Sequence, residues 1–270
     1  MTGALTLVVL GDPVAHSKSP TMHTAALGAL GLAGTYTARR VDAAGMAAAA
    51  GEMRAGLLDG ANITMPHKRV ASDLSDALAP EAARARSVNT WVPRQGTITG
   101  HSTDVVGVRV VIDRAGLPDG PVVILGTGGA AAASLIALED RPLTVVARRP
   151  EAGAEMARSC GVDATILSWE EPAPAGLVIN CTPVGMGGET LPERFLAAAT
   201  GFFEMVYASG PTPAEIGARS AGIPVAGGLE LLAAQAEASF ELWTGTTPPP
   251  GVMYRSVDKQ LKAPIGGAEA

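Results

Sequence analysis

The stretch Pro121-Val-Val-Ile-Leu-Gly126-Thr127-Gly128-Gly129-Ala130-Ala131 constrains the fold more than any other part of the chain. Apolar, largely β-branched residues run up to Gly126 and stop, and an alanine-rich, helix-favouring segment over residues 130–138 follows at once. That order reads as buried strand, tight turn and helix, the unit from which doubly wound α/β sheets are built. Gly126 permits the sharp turn, Gly128 lets the backbone approach a pyrophosphate, and the small Ala131 lets the helix pack closely on the strand. The N–H groups at the helix start, from Thr127 through Gly129 and Ala130, then face a phosphate where the helix dipole favours negative charge.

The next strand sharpens this expectation. Leu143-Thr-Val-Val146 is β-prone and ends at Ala147-Arg148-Arg149. It lies about 20 residues past the first glycine, where an NAD-binding sheet usually places an acidic residue on the ribose 2′-hydroxyl. Two arginines stand there instead. A guanidinium matches a phosphate in charge and geometry, so NADP is favoured over NAD. Glu151 follows Pro150 and is read as the start of the next helix.

Composition narrows the classes. With 270 residues, 47% of them hydrophobic and 17% charged, the chain can bury a sizeable core in one or two domains. The net charge of −6 and the lack of a dense Lys/Arg run argue against nucleic acid and anionic membrane as partners. No apolar stretch approaches the length of a membrane span, and the apolar first ten residues run straight into Gly11-Asp-Pro13, as a buried strand rather than a leader. Cys160 and Cys181 alone make no disulfide framework, which suits a reducing cytoplasm. His16, His23, His67 and His101 show no metal-ligand spacing, so no metal is expected.

Residues 5–10 read as a strand, followed by Gly11-Asp-Pro-Val-Ala-His-Ser17-Lys-Ser19-Pro20 and a helix over 21–30. Hydroxyls at the carboxyl end of a strand can hydrogen-bond a carboxylate ligand without adding charge; the alternative is that Ser19-Pro20 caps the helix. Residues 36–41 read as a strand, 43–57 as a helix, 60–64 as a short strand, and Met65-Pro66-His67-Lys68 as the turn after it. A helix closes at residues 84–86, and residues 87–92 and 96–99 read as a hairpin. Thr103-Asp104 leads into a helix over 105–115, with Asp104 as its N-cap on the plainest account.

Together these stretches resemble the shikimate dehydrogenase family over nearly the whole chain. The motifs are the Gly11–Pro20 loop, Asn62-Ile-Thr64-Met-Pro66-His-Lys68, Val88-Asn89-Thr90, Thr103-Asp104-Val-Val-Gly107, the glycine turn, Asn180-Cys-Thr182-Pro183-Val-Gly185-Met186 and Gly227-Gly228-Leu-Glu-Leu-Leu-Ala-Ala-Gln235-Ala. The resemblance implies NADP-linked reduction of 3-dehydroshikimate to shikimate in aromatic amino-acid synthesis. By position, Ser17 and Ser19 would hold the substrate carboxylate. Thr64, Lys68, Asn89, Asp104 and Gln235 would meet its hydroxyls and the reacting centre, with Tyr207 nearby and Lys68 and Asp104 as the catalytic pair. Moving a hydride to or from an alcohol carbon requires a proton at its oxygen to move too, which gives such a pair its use. The chain departs from the usual family pattern at Ser102, Thr24, Thr127, Ala147, Arg149, Glu204 (a usual Asp) and Ser209, none of them a proposed catalytic group.

Beyond Arg149 the reading continues as helix 151–159 and strands 164–167 and 177–180, the latter ending in Cys181-Thr182-Pro183. By resemblance that loop lines the nicotinamide side; Cys181 has no base placed for it and is not read as a nucleophile. Strand 201–207 would bring Met205 to the nicotinamide. A last short strand, 223–225, precedes Gly228, also assigned to the cofactor; helices 229–244 and 252–261 follow. The expected architecture is therefore α/β: an N-terminal α/β substrate domain, residues 1–102 and 228–270, with a Rossmann-like NADP domain, 103–227, inserted in it across a cleft. The expected partner is a small-molecule substrate, in a monomer or homodimer. A quinate or aminoshikimate dehydrogenase is the close alternative, and a non-catalytic NADP- or shikimate-binding regulator the distant one. Retention of both Lys68 and Asp104 argues against the regulator.

Overall fold

A computed structural model describes residues 3–207 and 210–262, the last four by backbone alone. Ser209, one of the departures named above, lies outside the described residues. The chain divides into two compact units: residues 1–103 with 235–270, and residues 104–234.

The first unit is a mixed sheet. Its strands are β1 (Leu5–Gly11), β2 (Gly34–Arg40), β3 (Gly60–Ile63), β4 (Ala77–Leu78), β5 (Thr90–Arg94) and β6 (Thr97–His101), in the order β2-β1-β3-β5-β6-β4. Strands β2, β1 and β3 run parallel, joined by helices α1 (Ser19–Leu30) and α2 (Ala43–Arg54). The β5–β6 hairpin is antiparallel to β3, with Asn62 opposite Thr90 and Thr90 opposite His101. Short helices α3 (Lys68–Asp73) and α4 (Pro80–Ala85) cover one face with α2. There Val8, Leu10, Met46, Met53, Ile63, Trp91 and Ile98 pack into a single core.

The second unit is wholly parallel. The connecting helix α5 (Thr103–Ala115) leads to β7 (Val122–Leu125), α6 (Gly129–Ala137), β8 (Leu143–Ala147), α7 (Pro150–Cys160) and β9 (Thr165–Ser168). Then come β10 (Gly176–Asn180), α8 (Glu193–Ala197), β11 (Ala199–Glu204), α9 (Pro213–Ser220) and β12 (Val225–Ala226). Every residue of β7, β8 and β10 is buried, as expected of strands covered on both faces. The sheet order is β12-β11-β10-β7-β8-β9. Counted from β7, that is the doubly wound order in which the two halves diverge between the first and fourth strands. Helix α10 (Gly228–Thr244) leads back to the first unit, and α11 (Val252–Lys262) follows and packs along α1.

Several expectations shift by a few residues. The second strand ends at Arg40 rather than Val41, helix α2 stops at Arg54, and β11 ends at Glu204, so Met205 and Tyr207 lie beyond it. Three corrections touch candidate site residues. Lys68 opens helix α3 rather than sitting in a turn. Asp104 lies inside the first turn of α5 and is not its N-cap. Ser19 is the first helical residue of α1, which begins without a side-chain cap from Lys18; the Ser17 hydroxyl accepts the Ser19 N–H at 3.3 Å.

Candidate active site

Strand direction gathers the candidate residues of the first unit. Neighbouring parallel strands β1 and β3 end together, so the Ser17–Ser19 loop after β1 and the Thr64–Lys68 segment after β3 leave from one edge of the sheet. The two loops are pinned to each other. The Asp12 N–H donates to the Met65 carbonyl at 3.0 Å and the Thr64 N–H to that of Leu10 at 2.9 Å. A side chain at Gly11 would run into the Thr64 methyl group, which accounts for glycine there. Because β5 is antiparallel to β3, its beginning lies at this same edge and brings Asn89 with it. The Val88 N–H donates to the Lys68 carbonyl at 3.0 Å, and the Ile63 N–H to that of Asn89 at 2.8 Å. Thr64, Lys68 and Asn89 are thus tied together by backbone bonds, and the loop that carries Ser17 leaves from the same edge.

Beneath it lies a buried polar knot that sequence reasoning missed. The Asn62 amide donates to the Asn89 carbonyl, Thr90 Oγ1 and Ser239 Oγ at 3.2, 3.1 and 2.9 Å, and its oxygen accepts the Tyr36 hydroxyl at 2.7 Å. Asn89 Oδ1 in turn accepts the Thr103 N–H at 2.8 Å, and Asn89 Nδ2 donates to Thr103 Oγ1 at 3.0 Å. That fixes the chain at the residue before Asp104, itself only 6% exposed. Ser239 donates to the Gln235 carbonyl one turn earlier in α10, so the same knot sets the part of the helix that carries Gln235. The only local signals were Asn62 and Thr90 at strand ends.

His23 packs beside this knot, its ring stacked on Tyr36 at 4.2 Å between centroids and 4° between planes. It has no solvent exposure, and among the described residues neither ring nitrogen has a hydrogen-bond partner of normal geometry. Burial, only partly offset by the Asn62 amide, lowers its pKa to about 3, so the ring is neutral. Burial likewise raises the Tyr36 phenol, with the Ser19 hydroxyl as the smaller opposing influence.

In the second unit the switch point falls between β7 and β10, where ligands of such sheets bind. The turn after β7 and the loop after β10 meet there: a side chain at Gly126 would lie 3.2 Å from Thr182 Cγ2 and 3.3 Å from the Cys181 carbonyl, and Gly126 has φ +111°. Gly128 is the N-cap of α6 and supplies no side-chain cap, and a Cβ there would meet no protein atom within 4 Å. Gly128 and Gly129 are exposed, so the start of α6 is open, as a bound pyrophosphate requires. Arg148 and Arg149 follow β8, the strand beside β7; both are exposed and neither forms an ion pair among the described residues. Glu151 lies in the first turn of α7, as expected. Met205 follows β11, and its N–H donates to the Asn180 carbonyl at 3.2 Å. Gly228 packs so closely on the Met205 and Val206 carbonyls that a side chain would not fit. Thr127, Thr182 and Met205 are half-buried, Pro183 exposed and Tyr207 44% exposed. These residues fit a dinucleotide with an extra phosphate. Among the described residues, no three His, Cys, Asp or Glu side chains are placed to hold a metal, and no helix is long and apolar enough to cross a membrane.

Comparison with known proteins agrees with this geometry. The model of the shikimate dehydrogenase substrate-binding domain matches residues 9–91, and that of the shikimate 5′-dehydrogenase C-terminal domain matches residues 228–257. A shikimate dehydrogenase (NADP⁺) of Citrifermentans bemidjiense is 37% identical over 276 aligned positions spanning 95% of each chain. The chain belongs to the shikimate dehydrogenase family. A Thermus thermophilus relative of the same name is 35% identical over 95% of this chain and 99% of its own. A crystal structure of shikimate 5-dehydrogenase from Thermus thermophilus, in complex with NADP(H) and shikimate, superposes with a TM-score of 0.88 at 34% identity over 94% of this chain and 99% of that one.

Proposed function

We propose that this family member reduces 3-dehydroshikimate to shikimate reversibly with NADPH, in the route to the aromatic amino acids. The first unit holds the substrate and the second holds NADP. Two observations carry the reading: the single sheet edge of the first unit, from which the Ser17 loop leaves and at which Thr64, Lys68 and Asn89 are tied by backbone bonds, and, within the second unit, an open glycine turn at the switch point of its sheet.

Ser17 and Ser19 bind the substrate carboxylate by donating their hydroxyl protons. Thr64, Asn89 and Gln235 bind its hydroxyls, with Tyr207 alongside. When bound, NADPH supplies the hydride to the carbonyl carbon. Lys68 donates a proton from Nζ to the carbonyl oxygen, and takes it back in the oxidising direction. Asp104 accepts a hydrogen bond and orients the proton carrier. The α6 N-terminus, with Gly126, Thr127, Gly128, Gly129 and Ala130, holds the pyrophosphate. Arg148 and Arg149 bind the 2′-phosphate, and Thr182, Pro183, Met205 and Gly228 contact the nicotinamide side. Neither cysteine is in a disulfide, which fits a cytoplasmic enzyme.

The absorbance of reduced nicotinamide, followed with shikimate or quinate and NADP or NAD, tests the reading. Shikimate with NADP should give the fastest rise. A faster rise with quinate would reassign the substrate, and no rise with any pair would leave only a binding protein.

A further inference from the structure

The second unit buries a carboxylate that none of these roles uses. Glu204, the last residue of β11, has no solvent exposure. Its Oε1 accepts from Asn180 Nδ2 at 2.9 Å and from the Val206 N–H at 3.1 Å. Its Oε2 accepts from Asn180 Nδ2 at 3.1 Å and from the Thr212 hydroxyl at 3.0 Å. Thr212 has no freedom to do otherwise: its oxygen already accepts the Glu215 N–H at 3.2 Å in the capping box of α9, so its proton points at Glu204. Among the described residues no cation pairs with Glu204; Arg219 lies 3.9 Å from Glu215. A buried anion held only by neutral donors is costly, and an apolar side chain would fill the same space more cheaply.

The bonds join three separate segments. A carboxylate only accepts, so it dictates which end of the Asn180 amide faces it. With Nδ2 committed to Glu204 and to the Val184 carbonyl at 3.0 Å, Oδ1 is left to accept the Thr182 N–H at 3.1 Å and the Thr182 hydroxyl at 2.7 Å. Thr182 Oγ1 then accepts the Val184 N–H at 3.2 Å and closes the loop. On the other side, Met205 is flanked by Glu204 itself and by Val206, whose N–H Glu204 holds.

We propose that Glu204 is a positioning residue for the reaction: its ionised carboxylate locks the Thr182–Pro183 loop and Met205 into the one relative arrangement that seats the nicotinamide. The proposal rests on the assignment of Thr182, Pro183 and Met205 to the cofactor in the preceding section. Burial pushes the Glu204 carboxyl up to about 7; hydrogen bonds from Val206, Asn180 and Thr212 oppose that rise, and the charge of Glu215 adds to it. The other titratable groups nearby are Cys181 after β10, whose thiol burial keeps neutral, and Arg219 of α9; Glu230 of α10 acts on Glu215. Once protonated, Glu204 presents a donor to groups that are themselves donors, and Asn180 is no longer held in one sense. Turnover therefore falls as pH drops through about 7, without loss of shikimate binding.

The test compares wild type, Glu204→Gln and Glu204→Asp across neutral pH, recording kcat and both KM values. Glu204→Gln keeps the shape but must turn an amide donor toward a donor. It should lower kcat about tenfold and abolish the acid limb of the wild-type kcat profile, with KM for shikimate unchanged within about twofold. Glu204→Asp, which keeps the charge, should recover most of kcat. Wild-type kcat and pH profile in Glu204→Gln, or an equal rise of both KM values, overturns the proposal. Should Glu204→Gln not fold, Thr212→Val decides: losing one donor must move the acid limb to higher pH, and an unmoved limb is the contrary result. Thr182→Val and Met205→Ala separate the premise from the proposal. If they leave the NADP kinetics untouched, the nicotinamide assignment itself falls; if they alter them while Glu204→Gln does not, only the role of Glu204 falls.

Discussion

Both units bury an asparagine-centred knot at the carboxyl edge of a sheet, but the knots differ in charge. In the first unit the described partners of Asn62, Asn89, Thr90, Thr103 and Ser239 are one another, Tyr36 and backbone, all neutral groups. In the second, Asn180 and Thr212 close on the carboxylate of Glu204. A neutral knot holds its geometry at any pH, whereas one built on a carboxylate makes geometry depend on a proton. The buried titratable groups at this knot, His23 and Tyr36, are both held uncharged by burial. The first knot is thus built for constancy and the second for sensitivity.

Substitutions can break this contrast or sharpen it. The largest effect is expected at Lys68, the proposed proton carrier. Lys68→Ala should lower kcat by about 10²–10⁴-fold with a much smaller change in KM for shikimate; a raised KM with unchanged kcat would make Lys68 a binding residue only. Next, Arg148→Ala should raise KM for NADP by roughly 10–100-fold, the loss of about 1.5–3 kcal/mol from a charged hydrogen bond, and leave that for shikimate alone. Equal movement of both would erase the division of labour between units. Asn62→Ala should then cost about 3 kcal/mol in urea unfolding, because several buried partners are orphaned together, and the loss should be the same at acid and neutral pH.

The smallest effects, and the most discriminating, are in the pH dependence of stability. The folded pKa of Glu204, about 7, lies above its ordinary value of 4.5, so the folded state holds the proton more tightly and stability falls as pH rises from 4.5 to about 7. The folded pKa of His23, about 3, lies below 6.5, so the unfolded state takes up the proton and stability falls as pH drops below 6.5, by ~2 kcal/mol at about pH 5. The two slopes oppose each other between 4.5 and 6.5. Glu204→Gln should therefore steepen the acid loss of stability and His23→Leu should flatten it; identical pH profiles in both variants would refute the assignment.

The sequence announced the second sheet well, because a strand, a glycine turn and a helix in immediate succession are local signals. Helices α3 and α8, of six and five residues, escaped because so short a segment shows no apolar period. Helix α9 carried a legible mark that went unread: Thr212-Pro-Ala-Glu215, a capping box with proline at the first turn. The knots were not legible. Asn62 meets Ser239 from 177 positions away, and no local pattern encodes such a pairing. Glu204 stands out in the sequence only as a departure from a usual Asp, since at the end of an apolar strand a carboxylate carries no sign of what will surround it.

The sulfur of Cys181 donates to Met205 Sδ at 3.3 Å and sits 3.6 Å from the Ser134 hydroxyl, while burial pushes its thiol up to about 12. Nucleophilic attack by sulfur needs the thiolate. Iodoacetamide at neutral pH should therefore label the half-buried Cys181 far more slowly in the folded protein than after unfolding, so that the rate of alkylation reports the integrity of the loop after β10.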